Sequence, residues 1–598
     1  MSQSGVLFAL SFTGKDKERW LENYWIKNKN AVAKGANGPT FGWVIPASQQ
    51  SKANAAEAVN GLIAQGVEFH TATAAFTAGS VSVKPGDWII RGDQPYRTVA
   101  DIYFAVQDYS MANPSPYDDL GWTYPMMRNL IITPVTDKAL LTGAMAPVKG
   151  PVRAAGGISG TGSTVIVEHS GDNLLAQFRW QFATVKMAAA ETEFEAAGHK
   201  FTAGSFIIEN ANRAQLEPVL TQLGLSGYAV ANVPAGVKTH DLDVPRIGYI
   251  HSWGNTQDEG WVRAALDYYK VPFTYFGENE VGKRDLKQFD VILWPSGGAI
   301  GQEAPTTGTP IPYKKTADFQ AIGAPDSTDD TRGGMGQSGF RKLYDWVAAG
   351  GTLITEGGTA AIFPQNYLTP GITVDQGQGL VAPGSVYRGI VSDRTSPIVY
   401  GIPRNHIPVY YKNAPLFSVG GQPGPLAAAA AATGRAGGRG GNYQNTQPMG
   451  SSTNVFGTWD PTKDWTGFVP PAADANAAGA GAGGRAGGAG GGGGRAGGAG
   501  GGGQFGGRGG GGAGPQMMDF MRPRVILSFP PSASDMLLSG GVLGAENLEN
   551  RPQLIDAPVG KGHVVMFAIR PFWRWQTQGT FILGFNALMN WNDLNAGK

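Results

Sequence analysis

Cysteine is missing from all 598 residues. Its absence excludes disulfides, thiolate-held zinc and a thiol nucleophile. A surplus of one charge sign is missing too, with 47 basic against 46 acidic residues and a net charge of +1. That balance does not favour nucleic acid or an anionic membrane as the main partner. No apolar run approaches the roughly 20 residues that span a bilayer. The stretch from Val6 to Leu10 is too short for a signal peptide and has no basic residues before it. Histidine is scarce, at seven residues. No two histidines stand three or four apart, and His-x-x-Glu does not occur. His169 with Asp172, and His240 with Asp243, form His-x-x-Asp pairs in polar, loop-like context. A catalytic zinc takes three protein ligands, so these pairs read as ordinary surface residues and no metal site is expected.

What is present is ample chain for several cores, about three domains once a low-complexity stretch is set aside. Met1 stands almost directly against the apolar Val6–Leu10 segment, which reads either as the downstream part of a longer protein or as the short first strand or helix of an ordinary soluble one. Residues 1–150 read as an α/β unit. A helix is expected from Asp16 to Lys29, with Asp16 as N-cap. Strands are expected at 42–46 and 67–69, on either side of a helix from Lys52 to Gln65. This order predicts a parallel pair with a right-handed crossover. A second, related unit is expected at 151–240. Phe76 leads to Gly86 and Trp88 at the same offsets as Phe194 leads to Gly204 and Phe206, and a helix follows each copy from Arg97 and Arg213. Each copy is expected to be a hairpin made of the aromatic strand, a Gly turn and the Trp88 or Phe206 strand.

Residues 241–598 carry short buried strands at 246–251, 290–294 and 350–355, each running to a turn, and another at 560–568. From about Gly421 to Pro515 the composition collapses to Gly, Ala and scattered Arg. Such a stretch cannot bury enough apolar surface to offset its ordering entropy, so a disordered insert is expected. An island from Asn454 to Val469 carries aromatics and is expected to be ordered. The chain should end in a helix from Gly579 to about Asn592.

The candidate pocket lies at the carboxyl edge of this last sheet, where open α/β sheets bind ligands. His251, Ser296 and Glu356 each end a strand there, with Gly297, Gly298, Gly357 and Gly358 in the turns and Asp258 and Glu259 opening the next helix. Backbone amides after Ser296 are placed to hold an oxyanion. The alternative reading is that Ser296 caps a turn and Glu356 caps a helix N-terminus. Arg91 and Arg97 are candidates for a ligand carboxylate; alternatively, Asp93 caps the helix and Tyr96 packs. Pro116 to Trp122 reads as an ordered loop. Arg439-Gly-Gly and Arg508-Gly-Gly match RNA-binding boxes, but the interleaved aromatics are thin and RNA is not the expected partner.

The strand-and-turn series from Arg246 resembles a class I glutamine amidotransferase-like domain of flavodoxin-like type, with Glu356 at the turn where such domains seat their thiol. More widely, the segments Gln3–Leu10, Gly66–His70 with Phe76–Gly79, Asp93–Arg97, Pro116–Asp118 with Gly121-Trp122, and Gly560–Val565 resemble the region downstream of the catalytic domain in bacterial zinc carboxypeptidase-like proteins of the M14 peptidase family. None of these segments is a catalytic motif. The resemblance implies an accessory region whose zinc ligands and general base lie in an upstream peptidase domain. It therefore implies no cofactor in this chain, that upstream domain as partner, and an exported parent. A small molecule or carbohydrate at the sheet edge is the alternative partner.

Overall fold

The computed structural model describes residues 2–114, 116, 119–253, 256–295, 309–313, 327–331, 334–413, 415–420, 449–450, 453–467 and 522–598. The rest of the expected 421–515 insert, with Arg439 and Arg508, lies outside the described residues, as does Val469. The chain is a mixed α/β protein with several sheets.

Two helices open it, α1 (Ser2–Lys15) and α2 (Lys17–Asn37). The expected helix at 16–29 is therefore longer, and a further helix precedes it. Strand β1 (Gly42–Ile45), helix α3 (Lys52–Ala64) and strands β2 (His70–Ala72), β3 (Phe76–Ala78), β4 (Val81–Val83) and β5 (Trp88–Arg91) follow. After α4 (Arg97–Phe104) and the short α5 (Tyr124–Met127) come β6 (Thr133–Val135) and β7 (Met145–Pro147). Their sheet has the order β6-β1-β5-β2-β7. β1 and β2 both pair antiparallel to β5, which lies between them. The expected parallel pair is thus a split β-α-β unit. The expected 67–69 strand forms three residues later, at β2. The hairpin expectation is also corrected. Phe76 pairs with Val83 across the β3–β4 turn, whereas Trp88 belongs to the central strand of the sheet.

The second sheet repeats this plan. It is built from β8 (Gly157–Gly160), β9 (Thr164–Val167), helix α6 (Leu174–Gln181), β10 (Ala188–Ala190), the hairpin β11 (Phe194–Ala196) and β12 (His199–Phe201), β13 (Phe206–Ile208), helix α7 (Arg213–Leu223), β14 (Ser226–Val230) and β15 (Thr239–Asp241). Its order is β15-β10-β13-β9-β14-β8. Read backwards and without β8, each strand matches its counterpart in the first sheet. The equivalent pairs β9–β13 and β10–β13 are antiparallel, as are their counterparts. The repeat in the sequence is therefore a repeat of topology.

The third sheet starts with β16 (Ile247–His251), helix α8 (Gln257–Tyr268), β17 (Thr274–Gly277), β18 (Val291–Trp294), helix α9 (Gly336–Ala348), β19 (Thr352–Glu356) and the short α10 (Ile362–Gln365). β20 (Ile372–Val374) precedes β21 (Ser385–Val391), β22 (His406–Tyr411) and β23 (Phe417–Val419); β20 and β23 pair with each other outside the main sheet. The chain closes with β24 (Arg524–Ser528), β25 (Leu537–Ser539), β26 (Pro552–Val559), β27 (Gly562–Phe567) and α11 (Phe581–Met589). Strands β17, β16, β18, β19 and β27 lie side by side and all run parallel. β26, β24, β21 and β22 extend the sheet antiparallel. The parallel strands are buried along most of their length, which suits their Val/Ile/Leu-rich runs. The Asn454 island is ordered where described. Its Thr458 and Lys463 carbonyls accept hydrogen bonds from Arg388 and His406 on β21 and β22.

One apolar core is continuous from the second sheet into the third, from Val165 and Phe206 through Ile250 and Leu353 to Phe585. The first sheet keeps separate clusters on its two faces, around Val59, Leu62 and Ile90 and around Val44, Val83 and Ile89.

Candidate functional site

Because the five strands β17, β16, β18, β19 and β27 run parallel, their carboxyl ends share one edge. His251 ends β16, Gly277 ends β17 and Glu356 ends β19. Ser296, Gly297 and Gly298 lie outside the described residues.

His251 is buried, and its ring lies flat on Tyr275 of β17, with centroids 4.1 Å apart and an interplanar angle of 0°. Burial pushes its pKa down to about 4, so the imidazole is neutral near pH 7. Its Nε2 has no hydrogen-bond partner. Glu259, in the first turn of α8, faces the same tyrosine. The Tyr275 hydroxyl donates to its two carboxyl oxygens at 3.1 and 3.0 Å. Burial raises the Glu259 pKa to about 7, opposed by Tyr275 and Arg263. Arg263 lies one helical turn on, with its guanidinium 5.0 Å from the centre of the Tyr275 ring. These side chains, with Ser252, Trp253, Thr256 and Asp267, line a cavity of about 370 Å³ between α8 and the edge strand β17.

Glu356 belongs to a second cluster. It opens a 3₁₀ turn at Gly357–Ala361 and forms a reciprocal capping box with Thr359. The Thr359 hydroxyl in turn donates to the Trp294 carbonyl at 2.6 Å, tying the ends of β18 and β19 together. Burial holds the Glu356 carboxyl well above the usual range; the Asp258 charge adds to this and Arg570 opposes it. Arg570 pairs with Asp258 at 3.0 Å. Glu356 is thus held as a cap, with both the Thr359 amide and hydroxyl tied to it. Gly357 takes φ 57°, which a glycine permits without strain. Among the described residues no hydrogen bond or ring contact joins His251 to Glu356, and the side chains form two clusters, one around Tyr275 and one around Arg570.

Sequence reasoning missed Tyr275, Arg263, Trp253 and Arg570. Arg263 stands four residues after Glu259, a spacing that puts both on one helix face. Nothing local marks Arg570, which reaches Asp258 only through the tertiary fold. Glu278, directly after β17, was missed as well. It is fully buried, and burial raises its pKa to about 7, opposed by hydrogen bonds from the Gly334 backbone and the Ser252 side chain.

The other candidates resolve as structure. Arg91 grips Asp93 through two hydrogen bonds of 2.9 and 2.7 Å, and Arg97 grips Asp101 through two of 3.0 and 2.9 Å. Asp93 does not cap α4, whose N-cap is Tyr96 without a side-chain bond. The Tyr96 hydroxyl meets Tyr24 at 2.9 Å. His169, Asp172 and His240 are buried rather than at the surface. His169 bonds Asn586 of α11 at 3.0 Å, and His240 bonds Asn590, which follows the last residue of that helix, at 2.8 Å. Asp119 in the Pro116–Trp122 loop accepts from Tyr410 and Trp573 at 2.5 and 2.6 Å. Among the described residues no group of three or more His, Asp or Glu is placed to hold a metal, and no helix is long and apolar enough to cross a membrane.

No family model matches the chain, and no curated protein matches it. Among solved structures, the crystal structure of beta-galactosidase from Bacillus circulans sp. alkalophilus aligns over 57% of this chain and 30% of that one, at 8% identity and a TM-score of 0.24. At that score the likeness carries no weight.

Proposed function

We propose that this chain is the non-catalytic accessory region of an M14 zinc carboxypeptidase-like protein, built to dock onto a peptidase domain. One observation supports it above the others. Of the seventeen large apolar side chains that stand exposed among the described residues, ten sit on the first two helices: Val6, Leu7, Phe8, Leu10 and Phe12 on α1, and Trp20, Leu21, Tyr24, Trp25 and Ile26 on α2. On α1 they point to every side, and a helix apolar all round belongs inside a protein body. α2 is fastened to the rest of the chain at Ala31 and Gly35. The strand order β17-β16-β18-β19-β27 reads 2-1-3-4-5 in chain order, which supports the flavodoxin-like, amidotransferase-like reading of the third sheet. The capped Glu356 supports an edge that does not cleave.

Zinc analysis of the purified chain, paired with a C-terminal peptide hydrolysis assay, tests the reading. The expected result is neither metal nor turnover; stoichiometric zinc with turnover overturns it. An antibody raised against residues 2–37 should detect, in the source cells, a polypeptide larger than this chain.

A second reading is small-molecule binding in the His251–Glu259–Tyr275 cavity. The unpartnered His251 Nε2 at its wall favours it.

A further inference from the structure

A second cavity, of about 450 Å³, lies where the second sheet meets the loop after β21. Glu191 and Glu193, just after β10, form one wall with Thr202, just after β12. Arg394, Tyr400 and Pro403 belong to the other wall. The two walls are held close at Gly204. A Cβ on Gly204 would lie 2.5 Å from the Cβ of Tyr400, so only a glycine lets the Thr202–Ala203 turn pack against that loop. Gln50 fixes the loop further, its side-chain amide donating to the Gly401 carbonyl at 2.7 Å.

The charges on the walls select the ligand. Glu193 already pairs with Lys200 at 2.5 Å. Glu191 has no such partner. Its side chain is only 19% exposed, and among the described residues the one basic group in ion-pair reach is His240, whose Nδ1 stands 3.6 Å away. That separation is too long for a hydrogen bond. A carboxylate so far out of water is costly unless a cation or donors meet it. On the other wall, Arg394 meets no carboxylate among the described residues. One of its N–H groups donates to the Pro403 carbonyl, which orients the guanidinium. Glu191 and Arg394 do not pair with each other, although they line one cavity. A simple anion would meet Glu191, and a simple cation would meet Arg394. A molecule with an ammonium at one end and a carboxylate at the other satisfies both walls, the carboxylate as a charge-assisted partner of the guanidinium. Thr202 completes the ammonium side. Its hydroxyl gives its proton to the His169 carbonyl at 2.7 Å, so its oxygen is left to accept. Val399, Ile402 and Pro403 add an apolar surface for a side chain. The volume lies in the range of small-molecule sites.

We infer that this cavity binds a small zwitterion, an α-amino acid with an apolar side chain or a short peptide, with its ammonium on Glu191 and its carboxylate on Arg394. The site shares no residue with the α1–α2 surface or with the His251 cavity, so it stands or falls apart from both.

Calorimetric titration of the full chain tests it. The probes are L-leucine, L-methionine, L-phenylalanine, alanyl-leucine and alanyl-alanyl-leucine. The controls are the N-acetyl derivative of the tightest probe, which lacks its ammonium, and the amide, which lacks its carboxylate. At least one probe should bind saturably with Kd below about 1 mM, and each control should bind about tenfold more weakly or not at all. A peptide that binds more tightly than the free amino acids marks a short peptide as the source; the reverse marks the amino acid. Glu191→Gln should weaken the probe about tenfold and leave the N-acetyl derivative unaffected, whereas Arg394→Met should weaken the probe as much and leave the amide unaffected. Arg394→Lys keeps a charge and should weaken binding less than Arg394→Met. Unchanged circular dichroism and Tm confirm that each variant is folded. Binding that neither Glu191→Gln nor Arg394→Met alters overturns the site. A control that binds as tightly as its probe overturns the zwitterion. No saturable binding of any probe to the folded chain overturns both.

Discussion

The first and second sheets share a strand order and a hairpin, yet they are held in different ways. The first keeps its own apolar clusters and carries the exposed α1–α2 pair. The second has its core merged with the third sheet and is latched by α11. The latch is specific. Asn586 and Asn590, one helical turn apart, meet His169 and His240 from the second sheet, and Asn586 also donates to the Ile398 and Tyr400 carbonyls at 3.1 and 2.9 Å. The same topology can therefore keep apolar clusters of its own or merge its main cluster into a larger core, depending on which surface its helices present.

The largest effect should come from leucine cavities in the two cores. Leu62→Ala and Leu220→Ala each remove a fully buried leucine and should cost about 3 kcal/mol. Leu62→Ala should split thermal unfolding into two steps, with an early one for the first sheet, whereas Leu220→Ala should lower the main transition. Calorimetry showing one shifted transition for both would erase the contrast. Asn586→Ala leaves His169 and two carbonyls without their partner and should cost about 3 kcal/mol in the main transition alone.

A smaller, pH-dependent difference is expected at Asp172, which joins the two sheets by accepting from the Asn54 amide at 2.9 Å. Burial raises its pKa to about 7 from an ordinary 3.8. The folded state thus holds a proton that the unfolded state releases more easily, and stability is lost as pH rises from about 4 through 7. Asp172→Asn should gain about 2 kcal/mol at pH 8 relative to pH 5 in urea melts. His169 works in the opposite direction. Burial lowers its pKa to about 4, so stability is lost as pH falls from about 6.5 through 4. The smallest effect belongs to the exposed helices. Leu7→Asp with Leu10→Asp should change the stability of the isolated chain by less than about 0.5 kcal/mol. A larger loss would mean that α1 supports the first sheet.

Much of the fold was legible where a local signal exists. The Phe76 and Phe194 repeat marked equivalent strands because alternation and turn glycines act over a few residues. The helix starts at Arg97 and Arg213 were read at their correct positions. Which strands pair was not legible. Trp88 was assigned to the Phe76 hairpin, but the edges of β1 and β2 compete for it and win. The site divided in the same way. His251, Glu259 and Glu356 were marked by their positions at strand and helix ends. Tyr275, Arg263 and Arg570 gain their roles only from what lies across from them. His169 and His240 were placed at the surface because their neighbours in sequence are polar, whereas their burial depends on α11, some 350 to 420 residues later.

The sequence by itself determined the chemistry unavailable to this protein and the repeat within it, because composition and short-range periodicity do not depend on folding. Tertiary structure alone decided that Glu356 is a cap, and that the main core of the second sheet merges with that of the third while the first sheet keeps clusters of its own. Burial and pairing are properties of surfaces brought together, and those surfaces come from residues far apart along the chain.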